Sequence, residues 1–215
     1  MVSCRKREDS PGAQPIPVAV LAAWDHQTET DSKGAFLFDQ FVRTWVGGNT
    51  GLAGLGTSST LFAKAWDQAD PINTPDGIAD PKRAVDALVS AAQDVKKKHG
   101  RLDIPWGDVF RFRIGETDLP GNGGPGPMGV FRTMTLGSTT DNNFVPVHGD
   151  TYVAAIKFSK PLRAMVLTSY GNATQPGSPH HTDQLPLLTK KEMRPVWFTR
   201  QEAEAHMAEK TVFGQ

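Results

Sequence analysis

Thr151-Tyr152-Val153-Ala154-Ala155-Ile156-Lys157-Phe158-Ser159-Lys160-Pro161-Leu162-Arg163-Ala164-Met165-Val166-Leu167-Thr168-Ser169 carries two hydrophobic patterns on either side of one turn. Tyr152, Ala154, Ile156 and Phe158 recur at every second position, the period of a strand with one apolar face. Ser159-Lys160-Pro161 is turn chemistry. Leu162 to Ser169 is more continuously apolar, as a strand buried on both faces would be. The stretch therefore predicts a β-hairpin entering a larger sheet. Downstream, Thr199 and Glu202 form a capping box for a closing helix reaching about Lys210.

The upstream half has the helical period instead. Val20, Ala23 and Trp24 begin an apolar face after Pro15 and Pro17. Phe38, Phe41, Val42 and Trp45 share a second face, with Ser32 available as a cap and Gly47-Gly48 as a stop. A shorter candidate covers Leu61 to Gln68. Asp80 and Pro81 open the clearest helix, with Val85, Leu88, Ala92 and Val95 in one stripe. Lys96 to Lys98 complement its C-terminal dipole, and Gly100 ends it. Val109 to Ile114 is a strand candidate, and Gly121 to Gly129 reads as a plain loop. The fold class is α+β: 1–17 irregular, 18–100 mostly helical, and 101–215 rich in strands and loops with a C-terminal helix.

Composition sets the outer bounds. The chain has 215 residues, enough to bury a core, with 21 Gly and 16 Pro against a usual combined share of roughly 12%. Lys+Arg and Asp+Glu both number 23, which gives no electrostatic reason to expect nucleic acid or an anionic membrane as partner. No stretch approaches the roughly 18 apolar residues of a spanning helix. The one cysteine, Cys4, permits no intrachain disulfide. Three basic residues in Met1–Arg7 and the apolar run Ile16–Ala23 resemble a signal peptide superficially. Glu8, Asp9, Pro15 and Pro17 interrupt that pattern, so a ragged start entering a helix is the reading.

Several short patterns resolve into turns. Trp24-Asp25 and Trp66-Asp67 recur at a propeller-like interval, but both lie in helical patterns. No glycine stands in a phosphate-loop register. Asp70, Asn73, Asp76, Gly77 and Asp80 miss the EF-hand spacing and read as a turn feeding the Asp80 cap. Asn172-Ala173-Thr174 is a bare sequon. His180, His181 and Asp183 lack metal-ligand spacing, so His180 and Asp183 are expected to make hydrogen bonds that fix the loop to the sheet. His148-Gly149-Asp150 precedes the first hairpin strand and reads either as a structural turn or as an acid/base pair. No metal or cofactor is implied.

Four stretches carry a resemblance. Gly171-Asn172-Ala173-Thr174-Gln175-Pro176-Gly177-Ser178-Pro179-His180-His181-Thr182-Asp183-Gln184-Leu185-Pro186 resembles the closing signature of the penicillin acylase family. His148-Gly149-Asp150-Thr151-Tyr152-Val153, Leu102-Asp103-Ile104-Pro105-Trp106-Gly107-Asp108 and Val20-Leu21-Ala22-Ala23-Trp24-Asp25 are similar to further segments of it, in the same order. The resemblance runs from about Val18 to the C-terminus and is nearest to the aculeacin A acylase and acyl-homoserine lactone acylase branch.

It implies the C-terminal portion of an αββα N-terminal-nucleophile hydrolase. Such enzymes cleave acyl groups from β-lactam nuclei, lipopeptides or homoserine lactones. A serine freed at the start of the β chain attacks, its own amine (pKa roughly 7.7–8.0) serving as base, and a backbone N–H and an asparagine form the oxyanion hole. In the family those groups precede the segments matched here, so this chain is expected to lack the nucleophile and to be inactive alone. Ser3 and Cys4 are not expected to replace it, because removal of Met1 would expose Val2. By the same resemblance, Asp150 is the position that would orient the histidine beside the nucleophile. The implied partner is the remainder of the acylase, its α chain and the N-terminal part of its β chain. Family members are periplasmic or extracellular. The competing expectation is a non-catalytic structural or binding module descended from the same fold.

Overall fold

The computed structural model describes residues 16–47 and 61–213. The expectations for residues 1–15, including Ser3 and Cys4, and for Gly48 lie outside the described residues. Helices and small antiparallel sheets alternate along the chain, an α+β architecture. The described residues divide into two compact units, 16–47 and 61–112 with 120–149, and 113–119 with 150–213.

In the first unit, α1 (Pro17–Ala22) and α2 (Ala35–Val46) precede α3 (Pro81–His99). Local chemistry sets the ends of α3: the Asp80 carboxylate accepts from the Arg83 N–H, Pro81 occupies the first turn, and Gly100 closes the helix in the left-handed region at φ 77°. Its buried side chains are Ala84, Ala87, Ala91, Ala92 and Val95, whereas Val85 is 60% exposed. The expected stripe is thus rotated, because small alanines allow α2 and α3 to pack closely. Trp45, Leu61, Ala84 and Ala87 form one cluster, with Phe41 stacked on Trp45.

Three local expectations are corrected here. Ser32 does not cap α2; its hydroxyl accepts from the Glu29 N–H, and Gly34 takes the cap position at φ 111°, where a Cβ would meet Trp24 Cβ at 2.6 Å. Leu61 to Gln68 is not a helix. Its backbone bonds instead to a distant segment, Ala63 N–H to Gly77 O and Lys64 in a bridge with Asp76. Residues Trp106–Val109 form a helical turn, α4, so β1 (Arg111–Ile114) starts later than expected; β2 (Thr117–Pro120) pairs with it.

The loop Gly121–Gly129 is not plain surface. Residues 121–125 are buried, Gly121 N–H donates to Phe110 O, and Gly126–Met128 is a 3₁₀ turn. It leads to β3 (Met134–Ser138), which pairs antiparallel with β4 (Phe144–Gly149) through a bulge at Thr135/Leu136.

The second unit holds the expected hairpin. β5 (Tyr152–Lys157) pairs antiparallel with β6 (Arg163–Thr168), and the two-residue β7 (Arg194–Pro195) lies on the other side of β6. α5 (Leu185–Lys190) buries Leu185 and Leu188. β6 is not continuously buried: Ala164, Val166 and Leu167 are, while Arg163 and Met165 are exposed. Tyr152, Ala154 and Ile156 do share a face of β5, but that face is exposed, and Phe158 lies beyond the strand at 91% exposure. The closing helix α6 (Arg200–Ala205) has the full Thr199–Glu202 capping box and ends before Lys210.

Candidate functional site

The Gly171–Pro186 loop connects β6 to α5 and folds back on itself. Ala173 N–H donates to His180 O (3.2 Å), His181 N–H to Ser178 O (3.1 Å), and Ser178 N–H to Gln175 O (3.1 Å). The Ser178 hydroxyl accepts from the His180 N–H at 3.2 Å. His180 Nδ1 lies 2.9 Å from Asp183 Oδ2, and His181 Nδ1 lies 3.1 Å from Ala173 O. His180 and Asp183 therefore bond each other within the loop; the expected tie from this pair to the sheet is not what these contacts make. Gly171 is required by contact: a Cβ there would sit 2.2 Å from His180 O and 2.9 Å from Asp183 Oδ1.

Gln184 ties this loop to the sheet. Its N–H donates to Tyr170 O at 3.1 Å. Its side-chain Oε1 accepts from the Thr168 N–H at 2.9 Å and from Arg194 Nε at 3.4 Å. Strand β6 pairs with β7 only at Met165 and Val166, so the amide of Gln184 takes up a ladder donor that the short β7 does not reach. Gln184 is 6% exposed, and burial pushes the nearby Tyr170 phenol above its ordinary value.

Asp150 lies between β4 and β5 and is exposed. His148 is in β4 opposite Thr135, also exposed, and no hydrogen bond joins it to Asp150. The intervening Gly149 is there for space, since a Cβ would meet Met134 Sδ at 2.6 Å.

The Pro105-Trp106-Gly107-Asp108 segment is a packing node. Trp106 is 1% exposed and donates Nε1–H to Gly123 O at 2.8 Å; Gly107 N–H donates to Thr30 O at 2.8 Å. Asn122, fully buried, accepts from Arg132 Nη1 at 2.6 Å. The Asp70–Asp80 segment, expected as a turn feeding the Asp80 cap, uses its polar side chains locally: Asn73 donates to Asp70, Lys64 pairs with Asp70, and Asp80 caps α3. Among the described residues no group of three or more His, Cys, Asp or Glu is placed to hold a metal, and no helix is long and apolar enough to cross a membrane.

Two polar features escaped sequence reading. Asp39 is 1% exposed and accepts from Arg43 Nε at 2.7 Å and from Gln40 at 2.9 Å, while its Oδ1 has no partner. Burial holds its carboxyl above the ordinary range against the pull of Arg43. The i,i+4 spacing of Asp39 and Arg43 was a visible signal; its burial was not. Gln184 gave no local signal, because its partners come from β6 and β7.

The Nδ1 atoms of His180, His181 and His206 lie within hydrogen-bond distance of Asp183, Ala173 O and Glu202 O respectively.

Residues 3–205 match the family described as penicillin amidase, and the chain belongs to that family. It is 26% identical over 196 residues to the acyl-homoserine lactone acylase PvdQ of Pseudomonas syringae pv. syringae, covering 88% of this chain and 24% of the relative. It is 30% identical over 200 residues to the aculeacin-A acylase of Actinoplanes utahensis, covering 87% of this chain and 22% of the relative. The chain thus spans about a quarter of the length of the curated relatives it matches.

Proposed function

We propose that this chain is the C-terminal portion of the αββα fold of an acyl-amide hydrolase and acts as a scaffold within it. On this reading residues 18–215 form one collinear segment of the β chain. The nucleophilic serine and the oxyanion donors come from the remaining acylase sequence, and the chain by itself does not hydrolyse amides. The observation that carries the reading is the match over residues 3–205 to a family whose similar members are named as acylases and are about four times as long. Strand β5 supports it: among the described residues it is the outer strand of its sheet, and Tyr152 and Ile156, 61% and 52% exposed, give one face apolar surface that a further layer would cover.

Asp150 holds the imidazole beside the nucleophile in one tautomer once the parts assemble. Mixing the chain with the complementary acylase chain, α chain included, tests this directly. The two are expected to co-elute and to cleave an acyl amide. Asp150→Asn is expected to leave co-elution intact while lowering kcat, whereas equal kcat for both would remove Asp150 from the mechanism. The second reading, a non-catalytic module, rests on the buried core that each compact unit has of its own. It predicts a stable chain that never restores hydrolysis to any partner.

A further inference from the structure

The second unit contains a groove of about 720 Å³ between the β5–β6 hairpin and the segment following β7. Its walls are apolar: Ala155, Leu162, Met165, Pro195, Trp197 and Phe198. Leu162, Trp197 and Phe198 are 41%, 40% and 49% exposed, so the lining is open to a ligand. The volume falls within the range of small-molecule sites, roughly 300–1,000 Å³.

One end of the groove carries charge of a single sign. Lys157 and Arg163 both line it and stand directly opposite each other across the hairpin, so they project from the same face. Like charges in that position destabilise a hairpin. Among the described residues neither side-chain cation has a hydrogen bond or ion pair, and no Asp or Glu occurs between Thr151 and Thr182. The one acid in the lining, Glu202, is engaged by the α6 capping box: its Oε2 accepts from the Phe198 and Thr199 N–H groups and from the Thr199 hydroxyl.

We propose that this groove binds a free aliphatic carboxylate, its chain along Leu162, Met165, Trp197 and Phe198 and its head between Lys157 and Arg163. A guanidinium matches the two oxygens of a carboxylate in a fork, and the ammonium adds a point charge beside it. An apolar floor ending in two unpaired cations fits an amphiphilic anion and disfavours an alcohol or an amine of the same length. The site stands apart from the hydrolytic reading and needs no turnover to be seen.

The test is calorimetric titration of the intact chain with dodecanoate and with dodecylammonium, alongside Trp fluorescence. Dodecanoate is expected to bind at least about tenfold tighter than dodecylammonium, the size of one charge-assisted hydrogen bond. Lys157→Gln with Arg163→Gln should erase that preference, and Trp197→Phe should lose the fluorescence response while retaining calorimetric binding. Both charged positions are exposed, so a circular dichroism spectrum unchanged from wild type confirms that any loss is local. Equal binding of the two probes, or unchanged dodecanoate affinity in the double variant, overturns the proposal. So does binding to phosphatidylglycerol vesicles without binding of monomeric dodecanoate, which makes the face a membrane contact. Concentration-dependent dimerisation without dodecanoate binding makes it a contact between copies and equally overturns it.

Discussion

Replacing Gln184 by Met keeps the length and bulk of the side chain and removes the acceptor that the Thr168 N–H uses. That donor lies 2.9 Å from Gln184 Oε1, and the glutamine is 6% exposed, so water cannot easily replace the lost partner. Leaving a buried donor unsatisfied costs about 1–3 kcal/mol. The weaker contact from Arg194, at 3.4 Å, adds little because Arg194 reaches solvent. For a unit of this size each kcal/mol lowers the midpoint by about 4–8 °C, so the transition of the second unit should fall by about 4–24 °C. Thermal melts followed by circular dichroism read the shift, and hydrogen exchange at the Thr168 amide reads its origin. Gln184→Glu is the control: it keeps an acceptor oxygen, and Arg194 can face the new charge, so Thr168 should stay protected. A Gln184→Met midpoint within about 1 °C of wild type, with Thr168 still protected, would refute the reasoning, because the bond would then contribute nothing net.

Gly171→Ala places a Cβ 2.2 Å from His180 O, which forces the loop open at an overpacking cost of about 1–3 kcal/mol; a lower midpoint and the loss of His181 amide protection check it. Asp80→Ala removes the cap that accepts from the Arg83 N–H and should cost about 1 kcal/mol in urea unfolding of the first unit. Asp39 gives a pH dependence. Its folded-state carboxyl is raised by burial above the unfolded value near 3.8, so the folded chain holds the proton longer than the unfolded chain does. Stability contributed by this group is present below the unfolded value and is lost as pH rises through the folded one. Asp39→Asn removes that loss, and Arg43, 33% exposed, can be solvated without its partner. Urea unfolding from acid to neutral pH should show the variant gaining on wild type as pH rises; a constant difference contradicts the linkage.

What could be read from the sequence was what short-range chemistry determines. The ends of α3 were legible because Asp80, Pro81 and Gly100 act within one turn of the helix. The Thr199–Glu202 box was legible for the same reason, joining residues three apart. Leu61–Gln68 misled because its apolar spacing looks helical while its backbone partners are Asp76 and Gly77. Val85 misled because a stripe of alanines gives little hydrophobic signal yet lets two helices approach. Within the candidate site, the closing loop was recognisable as a unit, but the tie from Gln184 to Thr168 was not, since it depends on how far β7 extends. The groove beside Lys157 and Arg163 was equally hidden, because it needs Trp197 and Phe198 brought back from forty positions later in the chain.

We propose this chain as a scaffold portion of an acyl-amide hydrolase. Release of a chromogenic amine from an acylated substrate tests it most directly, measured for this chain alone, for the complementary acylase chains alone, and for the mixture. The account predicts release only from the mixture, rising to a plateau at equal amounts of the parts. The same rate with and without this chain, or no release from a mixture that has assembled, would contradict it.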